Sequence, residues 1–188
     1  IINILRKMGA GFEETKDGYI VETKELKGIE IDGSHTPDII PVTAVTAAFA
    51  QGESVIKGVS RLRHKECDRL QAVCEILAKL GREYQVKEDT LRIKGSSHVP
   101  QKIECGSHND HRIAMALSVA ALKCGETVVK GAQAIAKSYP NYLLEYKKIG
   151  GRYEKKITRS TASFGYGLFF FGYDVCLQTP GRRPWRNS

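Results

Sequence analysis

The sequence predicts a mixed α/β (α+β) fold of repeated strand-helix-strand-helix-hairpin units packed around shared helices, and a repeat at two levels predicts it. Gly9, Gly81 and Gly150 each end an amphipathic basic segment (Leu5 to Gly9, Leu77 to Gly81, Tyr146 to Gly150), and each is followed by aromatic and charged residues that read as a strand. Glycine is the natural residue past a helix end, because the left-handed backbone that closes the last turn is open to it. A second set of matches has nearly the same offset, about 70 residues. It pairs Gly33-Ser34-His35 with Gly106-Ser107-His108, Gly52-Glu53-Ser54 with Gly125-Glu126-Thr127, and Lys57-Gly58 with Lys130-Gly131. Several matches at one offset predict a duplicated unit, with one copy nearly complete, most of a second, and the frayed start of the set.

Within a unit the order reads directly. Phe12 to Thr15 and Tyr19 to Thr23 form a hairpin about Lys16-Asp17-Gly18, and Glu83 to Lys87 with Thr90 to Lys94 repeat it about Glu88-Asp89. A short strand follows (Ile29 to Asp32; Lys102 to Cys105), then an alanine-rich helix (Ile39 to Ala50; His111 to Cys124). Next come a strand (Ser54 to Lys57; Thr127 to Lys130), a loop and another helix (Glu66 to Leu80; Tyr139 to Ile149). Leu70, Val73, Cys74, Leu77 and Leu80 recur at helical spacing, so one face of the helix opening at Glu66 is buried. Such units cannot bury their faces alone, which implies sheets packed on shared helices.

Composition narrows the class. The 188 residues suffice for a real core, and the chain has no run long and apolar enough for a membrane helix. It opens Ile1-Ile2-Asn3 on a helical pattern, which reads as the middle of something longer. Five cysteines (Cys67, Cys74, Cys105, Cys124, Cys176) without C-x-x-C indicate neither a disulfide framework nor a zinc site, and a reducing cytoplasm is expected. The net charge of +8 is uneven: from Lys155 onward six Lys and Arg stand against one Asp, leaving +3 for residues 1–154. That body lacks the concentrated basic patch of a nucleic-acid binder.

Charge is nevertheless concentrated in four strand-to-helix loops. They carry Asp38, then Lys65, Glu66 and Arg69, then Asp110, His111 and Arg112, then Lys137. In repeated units these loops share one end, so basic side chains and helix N-termini suited to a small polyanion come with carboxylates suited to proton transfer. On one helical turn, Lys65 and Arg69 would lie four residues apart and repel unless something negative lies between them. His35, His64, His108 and His111 share no metal-ligand spacing and read as hydrogen-bonded or solvated, with His111 singled out by its motif. Asn109 reads as a helix cap; Asp68 reads as a partner of a basic neighbour, and Asp110 as a cap.

Four ordered runs carry a resemblance. Asp32-Gly33-Ser34-His35-Thr36-Pro37-Asp38, Arg63-His64-Lys65-Glu66-Cys67-Asp68-Arg69, Asn109-Asp110-His111-Arg112-Ile113-Ala114-Met115-Ala116 and Ala136-Lys137-Ser138-Tyr139-Pro140 resemble successive motifs of the EPSP synthase family, the 3-phosphoshikimate 1-carboxyvinyltransferases. The resemblance covers residues 1–154 and corresponds to the C-terminal part of that enzyme, one domain of an enolpyruvyl transferase inverse barrel. It implies that the 5-hydroxyl of shikimate 3-phosphate adds to C2 of phosphoenolpyruvate as C3 is protonated, after which the tetrahedral intermediate loses phosphate. It implies that Asp38 accepts the hydroxyl proton, that Glu66 takes part in proton transfer, and that His111 belongs to the catalytic set. Lys65 matches a shikimate 3-phosphate contact, while Arg69, Arg112 and Lys137 match cations that bind phosphoenolpyruvate. No metal or organic cofactor is implied, and neither is a nucleic-acid or membrane partner. The full-length form is expected to be a cytoplasmic monomer.

Departures from the family pattern set further expectations. The Lys-Ser motif and the Gly-Asn-Ala-Gly-Thr-like loop of the family's N-terminal part are missing from the sequence, so this polypeptide alone is expected to be inactive. Cys67 stands where Ser or Thr is more usual, and Arg61 where some members place a substrate-contacting Asn. Residues 155–188, with the aromatic stretch Phe164 to Tyr173 and a Pro/Arg-rich end, match nothing in the repeat and read as a disordered or non-native tail. Two relatives in fold are alternatives. The UDP-N-acetylglucosamine enolpyruvyl transferase lacks the Lys-Glu-x-Asp-Arg run, and the RNA 3'-terminal phosphate cyclase needs a nucleotide-linked histidine. A non-catalytic basic binding module is the alternative from another class.

Overall fold

The structure is a computed structural model that describes residues 1–22, 24–159 and 171–178. The chain divides into an N-terminal unit, Ile1–His98, and a C-terminal unit, Val99–Ser188. The N-terminal unit begins with a short helix, α1 (Ile2–Lys7), and the antiparallel hairpin β1 (Gly11–Thr15) and β2 (Gly18–Glu22), a separate two-stranded sheet. There follow β3 (Glu30–Asp32), α2 (Ile40–Ala47), β4 (Glu53–Lys57), α3 (Arg69–Lys79), β5 (Glu83–Lys87) and β6 (Thr90–Lys94). Their four strands form one sheet in the order β3-β4-β6-β5, with β3 parallel to β4 and the other pairs antiparallel.

The C-terminal unit repeats the arrangement. It contains β7 (Lys102–Gly106), α4 (His111–Ala121), β8 (Glu126–Lys130), α5 (Tyr142–Lys148), β9 (Arg152–Arg159) and β10 (Phe171–Gln178). The sheet order is β7-β8-β10-β9, again with a parallel first pair and antiparallel remainder. The sequence repeat is therefore a structural one. Both sheets are open, and there is no closed barrel among the described residues.

The alanine-rich helices lie in the cores because they offer little but small apolar side chains. In α2, Ile40, Ala44, Val45 and Ala47 are buried, as are Ile113, Ala114, Ala116, Leu117, Ala120 and Ala121 in α4. A helix apolar on most of its circumference has no face to give to water. The helix α3 is amphipathic in the ordinary way, burying Leu70, Val73, Cys74, Ile76 and Leu77. The expected glycine stops are present: Gly9, Gly81 and Gly150 all have positive φ. Close packing also fixes Gly95, where a Cβ would come within 2.0 Å of the Ala50 carbonyl oxygen.

Two helix starts lie three residues later than the pattern reading. α3 begins at Arg69 rather than Glu66, because Asp68 leaves the helical region and its carboxylate accepts the Gln71 N–H at 2.9 Å. Lys65 and Glu66 thus precede the helix, and Lys65 and Arg69 do not share a first turn. α4 begins at His111 as read, and of the two residues read as caps Asp110 makes the cap, while Asn109 lies in the left-handed region at φ 58°. α5 starts at Tyr142, after a 3-10 stretch (Ala132–Lys137) and Pro140, and α2 stops at Ala47.

The segment expected to be disordered contains regular structure where it is described. β9 runs across Glu154 without a break, and β10 pairs with all eight of its residues, Gln178 with Arg152 through Phe171 with Arg159. Val175, Cys176 and Leu177 are buried. Thr23, Phe164 to Phe170 and the Pro/Arg-rich end lie outside the described residues.

Candidate active site

In the N-terminal unit, four candidate residues lie at or just after two 3-10 turns that lead into helices. Asp38 sits in a 3-10 turn (Pro37–Ile39) that leads into α2, where Pro37 presets the first backbone angle. The loop before it is held by Asp32, whose carboxylate accepts the Ser34 N–H at 2.9 Å. Hydrogen bonds from Ser34 hold the Asp32 carboxyl below the usual aspartate value. A second 3-10 turn (Ser60–His64) and the bend after it bring Lys65 and Glu66 ahead of α3. Arg61 of that turn donates to the Ser34 carbonyl at 2.9 Å, tying the two loops together.

Arg69 is the centre of this cluster. Its guanidinium donates one nitrogen to Asp38 at 2.8 Å and another to Glu66. Its side chain is 1% exposed, whereas those of Asp38 and Glu66 are 47% and 46% exposed. A planar fork can serve two carboxylates at once, which a lysine ammonium does with less geometric definition. The result is one buried cation with two carboxylates whose outer faces meet solvent. Lys65 is exposed beside Glu66, and Arg63 pairs with Asp68 at 3.2 Å.

In the C-terminal unit, His111 and Arg112 open α4. Asp110, fully buried, accepts the Arg112 backbone N–H at 2.8 Å and so fixes the first turn. The Arg112 and His111 side chains are partly exposed. Lys137 ends the 3-10 stretch, and its ammonium donates to the Asn109 carbonyl at 2.7 Å, which brings it beside the loop that precedes His111 and Arg112. The predicted residues therefore form two clusters, Asp38 with Glu66, Arg69 and the adjacent Lys65 in one unit, and Lys137 with the His111-Arg112 loop in the other.

Two surface hollows lie elsewhere. One of about 600 Å³ runs along α5 between Asn141, Leu144, Glu145, Lys147 and Lys148, and a smaller one lies between α1 and Tyr19. Neither is lined by a candidate residue, and convergent charge marks the site better than concavity does. No group of three metal-ligating side chains occurs among the described residues. Sequence reasoning had not anticipated the loop tie made by Arg61, the left-handed turn at His108-Asn109, or the burial of Arg69. For the turn a signal existed, since asparagine tolerates the left-handed region better than other non-glycine residues.

Comparison with known proteins places the chain in a family. A sequence profile described as EPSP synthase (3-phosphoshikimate 1-carboxyvinyltransferase) matches residues 1–145. The 3-phosphoshikimate 1-carboxyvinyltransferase of Clostridioides difficile is 40% identical over 158 residues, which cover 82% of this chain and 36% of that protein. The enzyme of the same name from Clostridium novyi is 43% identical over 154 residues, 80% of this chain and 35% of the relative. Among solved structures, EPSP synthase from Acinetobacter baumannii matches with a TM-score of 0.60 and 29% identity over 78% of this chain and 38% of its own. The enolpyruvyl transferase NikO from Streptomyces tendae matches with a TM-score of 0.63 and 25% identity, over 79% of this chain and 34% of its own. The chain spans about a third of the length of the curated relatives it matches. On the profile match across most of its length, and on relatives 40% and 43% identical over four fifths of it, the chain belongs to the EPSP synthase (3-phosphoshikimate 1-carboxyvinyltransferase) family.

Proposed function

We infer that this chain supplies the carboxylates and cations of an enolpyruvyl transfer, in which phosphoenolpyruvate reacts with the 5-hydroxyl of shikimate 3-phosphate and inorganic phosphate leaves. The observation that carries the reading is the buried Arg69 bridging Asp38 and Glu66, residues of the runs that resemble the family's motifs. In the reaction the hydroxyl oxygen bonds to C2 while C3 gains a proton. Loss of phosphate and of a proton from C3 then restores the double bond. Asp38 accepts the hydroxyl proton and Glu66 exchanges the proton at C3, both through their solvent-facing sides. Lys65 receives the shikimate phosphate. Arg112 and Lys137 receive the phosphate and carboxylate of phosphoenolpyruvate, with Arg69 sharing its charge between the substrate and the two carboxylates. His111, at the first position of α4, completes the catalytic set.

Residues 1–154 form the part shared with the family, and beyond them the chain adds the end of β9 and β10 to the C-terminal sheet. The full-length form acts as a cytoplasmic monomer. Because the chain spans about a third of its relatives, turnover requires residues beyond these 188. Calorimetry tests the reading. The chain is expected to bind phosphoenolpyruvate or shikimate 3-phosphate, and Arg112→Glu to weaken phosphoenolpyruvate binding, without steady phosphate release. Failure to bind either compound, together with salt-dependent binding of duplex DNA, would replace the reading with a basic binding module.

A further inference from the structure

The loop that opens α4 contains two consecutive non-glycine residues with positive φ, His108 at 50° and Asn109 at 58°. Such residues are uncommon, and asparagine is among the few that accept the conformation readily. The turn is not left to itself. Ser107, buried at its start, accepts the Asn109 N–H at 3.2 Å and donates its own hydroxyl proton to the Gly131 carbonyl at 2.8 Å. Gly131 immediately precedes the 3-10 stretch whose last residue is Lys137. At that far end the Lys137 ammonium donates to the Asn109 carbonyl at 2.7 Å. Both ends of one 3-10 stretch are thus fastened to one left-handed turn, the first through Ser107 and the last through Asn109.

We propose that Asn109 is a positioning residue for Lys137: its left-handed backbone aims the 109 carbonyl at the ammonium and holds it where an anionic substrate group can meet the remaining N–H donors. An ammonium has three donors, so one bond to a carbonyl orients the group and leaves two for phosphate or carboxylate. An untethered lysine would have to order its flexible stem when the anion arrives, and the tether performs that ordering beforehand. The N-terminal unit has a parallel arrangement, in which Arg61 from the corresponding 3-10 turn donates to the carbonyl of Ser34, in the loop matching that of Ser107. The proposal rests on the reading of Lys137 as an anion ligand, but the tether can be measured without it.

The test uses the whole 188-residue chain with 15N-labelled lysine, observing ammonium protons at low temperature and assigning Lys137 through Lys137→Gln. The Lys137 ammonium is expected to exchange with water about tenfold more slowly than that of exposed Lys87, as one retained hydrogen bond allows. Asn109→Gly, which keeps the left-handed turn, preserves the slow exchange. Asn109→Val, whose branched side chain disfavours that turn, abolishes it and weakens phosphoenolpyruvate binding about tenfold, with circular dichroism reporting the fold. Equal exchange for Lys137 and Lys87 in the wild type overturns the proposal whether or not any variant folds. So does slow exchange that survives in Asn109→Val. If the wild-type chain binds no phosphoenolpyruvate while Lys137 exchanges slowly, the tether stands and the functional reading falls.

Discussion

Arg69 and Asp38 are 31 positions apart in sequence and joined by a 2.8 Å ion pair in which the arginine is buried and the aspartate half-exposed. The guanidinium has left water and depends on Asp38 and Glu66 for its charge balance. Arg69→Met is expected to destabilise the N-terminal unit by on the order of 2 kcal/mol, since the carboxylates it abandons can still be hydrated. Replacing both carboxylates, Asp38→Asn with Glu66→Gln, should cost more than the sum of the single changes, because the second removal takes the last of these two negative charges from a buried cation. Urea unfolding of the four variants measures this.

Arg82 makes a stronger structural prediction. Its buried guanidinium donates to three carbonyls, Ala48 at 2.6 Å, Leu80 at 2.8 Å and His98 at 2.6 Å, and lies 5.4 Å from the Phe49 ring centroid. Arg82→Ala leaves these acceptors without that donor and should cost about 3 kcal/mol or more. Amide exchange confined to residues 1–98 provides the readout, and an unchanged pattern would refute the assignment.

The cap of α4 is Asp110, and Asp110→Ala is expected to lower stability by about 1–2 kcal/mol while Asp110→Asn retains most of it. Thermal unfolding followed in the C-terminal unit distinguishes the two.

Acid stability should depend on Asp89. Its carboxylate accepts the Ser60 N–H at 2.7 Å, and hydrogen bonds from Ser60 hold its carboxyl below the usual aspartate value. A depressed carboxyl stabilises the folded state above the ordinary value of about 3.9, and that contribution disappears as pH falls from there through the lower folded value. Asp89→Asn should therefore be less stable than wild type near neutrality and converge with it in acid. A stability difference that grows on acidification would contradict the sign.

Cys176 reports on β10. Its thiol is pushed up to about 12, chiefly by burial and secondarily by the Glu126 carboxylate. At mildly alkaline pH its thiolate fraction is on the order of one in ten thousand, and its sulfur has no path to reagent. Alkylation followed by mass spectrometry should modify the partly exposed Cys67 first and Cys176 only after unfolding. Early modification of Cys176 would mean that β10 does not occupy the sheet.

The parts legible in the sequence were those with local causes. The β5-β6 hairpin announced itself by alternation around a tight turn, at which Glu88 adopts φ 51°. The duplicated Gly-Ser-His loops located both strand-helix junctions. The start of α3 was misplaced because Glu66 to Asp68 extends the polar side of the helical pattern, and only the capping preference of Asp68 marks the break. β10 gave no alternation, since Val175, Cys176 and Leu177 are all buried, and its partner β8 lies more than 40 residues earlier. The charged loops were visible as charges, but the burial of Arg69 was not. It follows from a partner 31 residues away, information that a local charge pattern does not contain.

β6 and β10 occupy the same place in their sheets, yet one has five residues and the other eight, and they come from segments without a sequence match. A ladder joins main-chain groups, which every residue but proline supplies in full, so that place accepts any extended segment with enough apolar side chains. The loops after β3, β4 and β7 have less latitude, because a carboxylate, a buried guanidinium or a left-handed turn there admits few residue types. The architecture thus divides the chain into positions that are read as backbone and positions that are read as chemistry. Change can accumulate at the first kind while the geometry of the second is undisturbed.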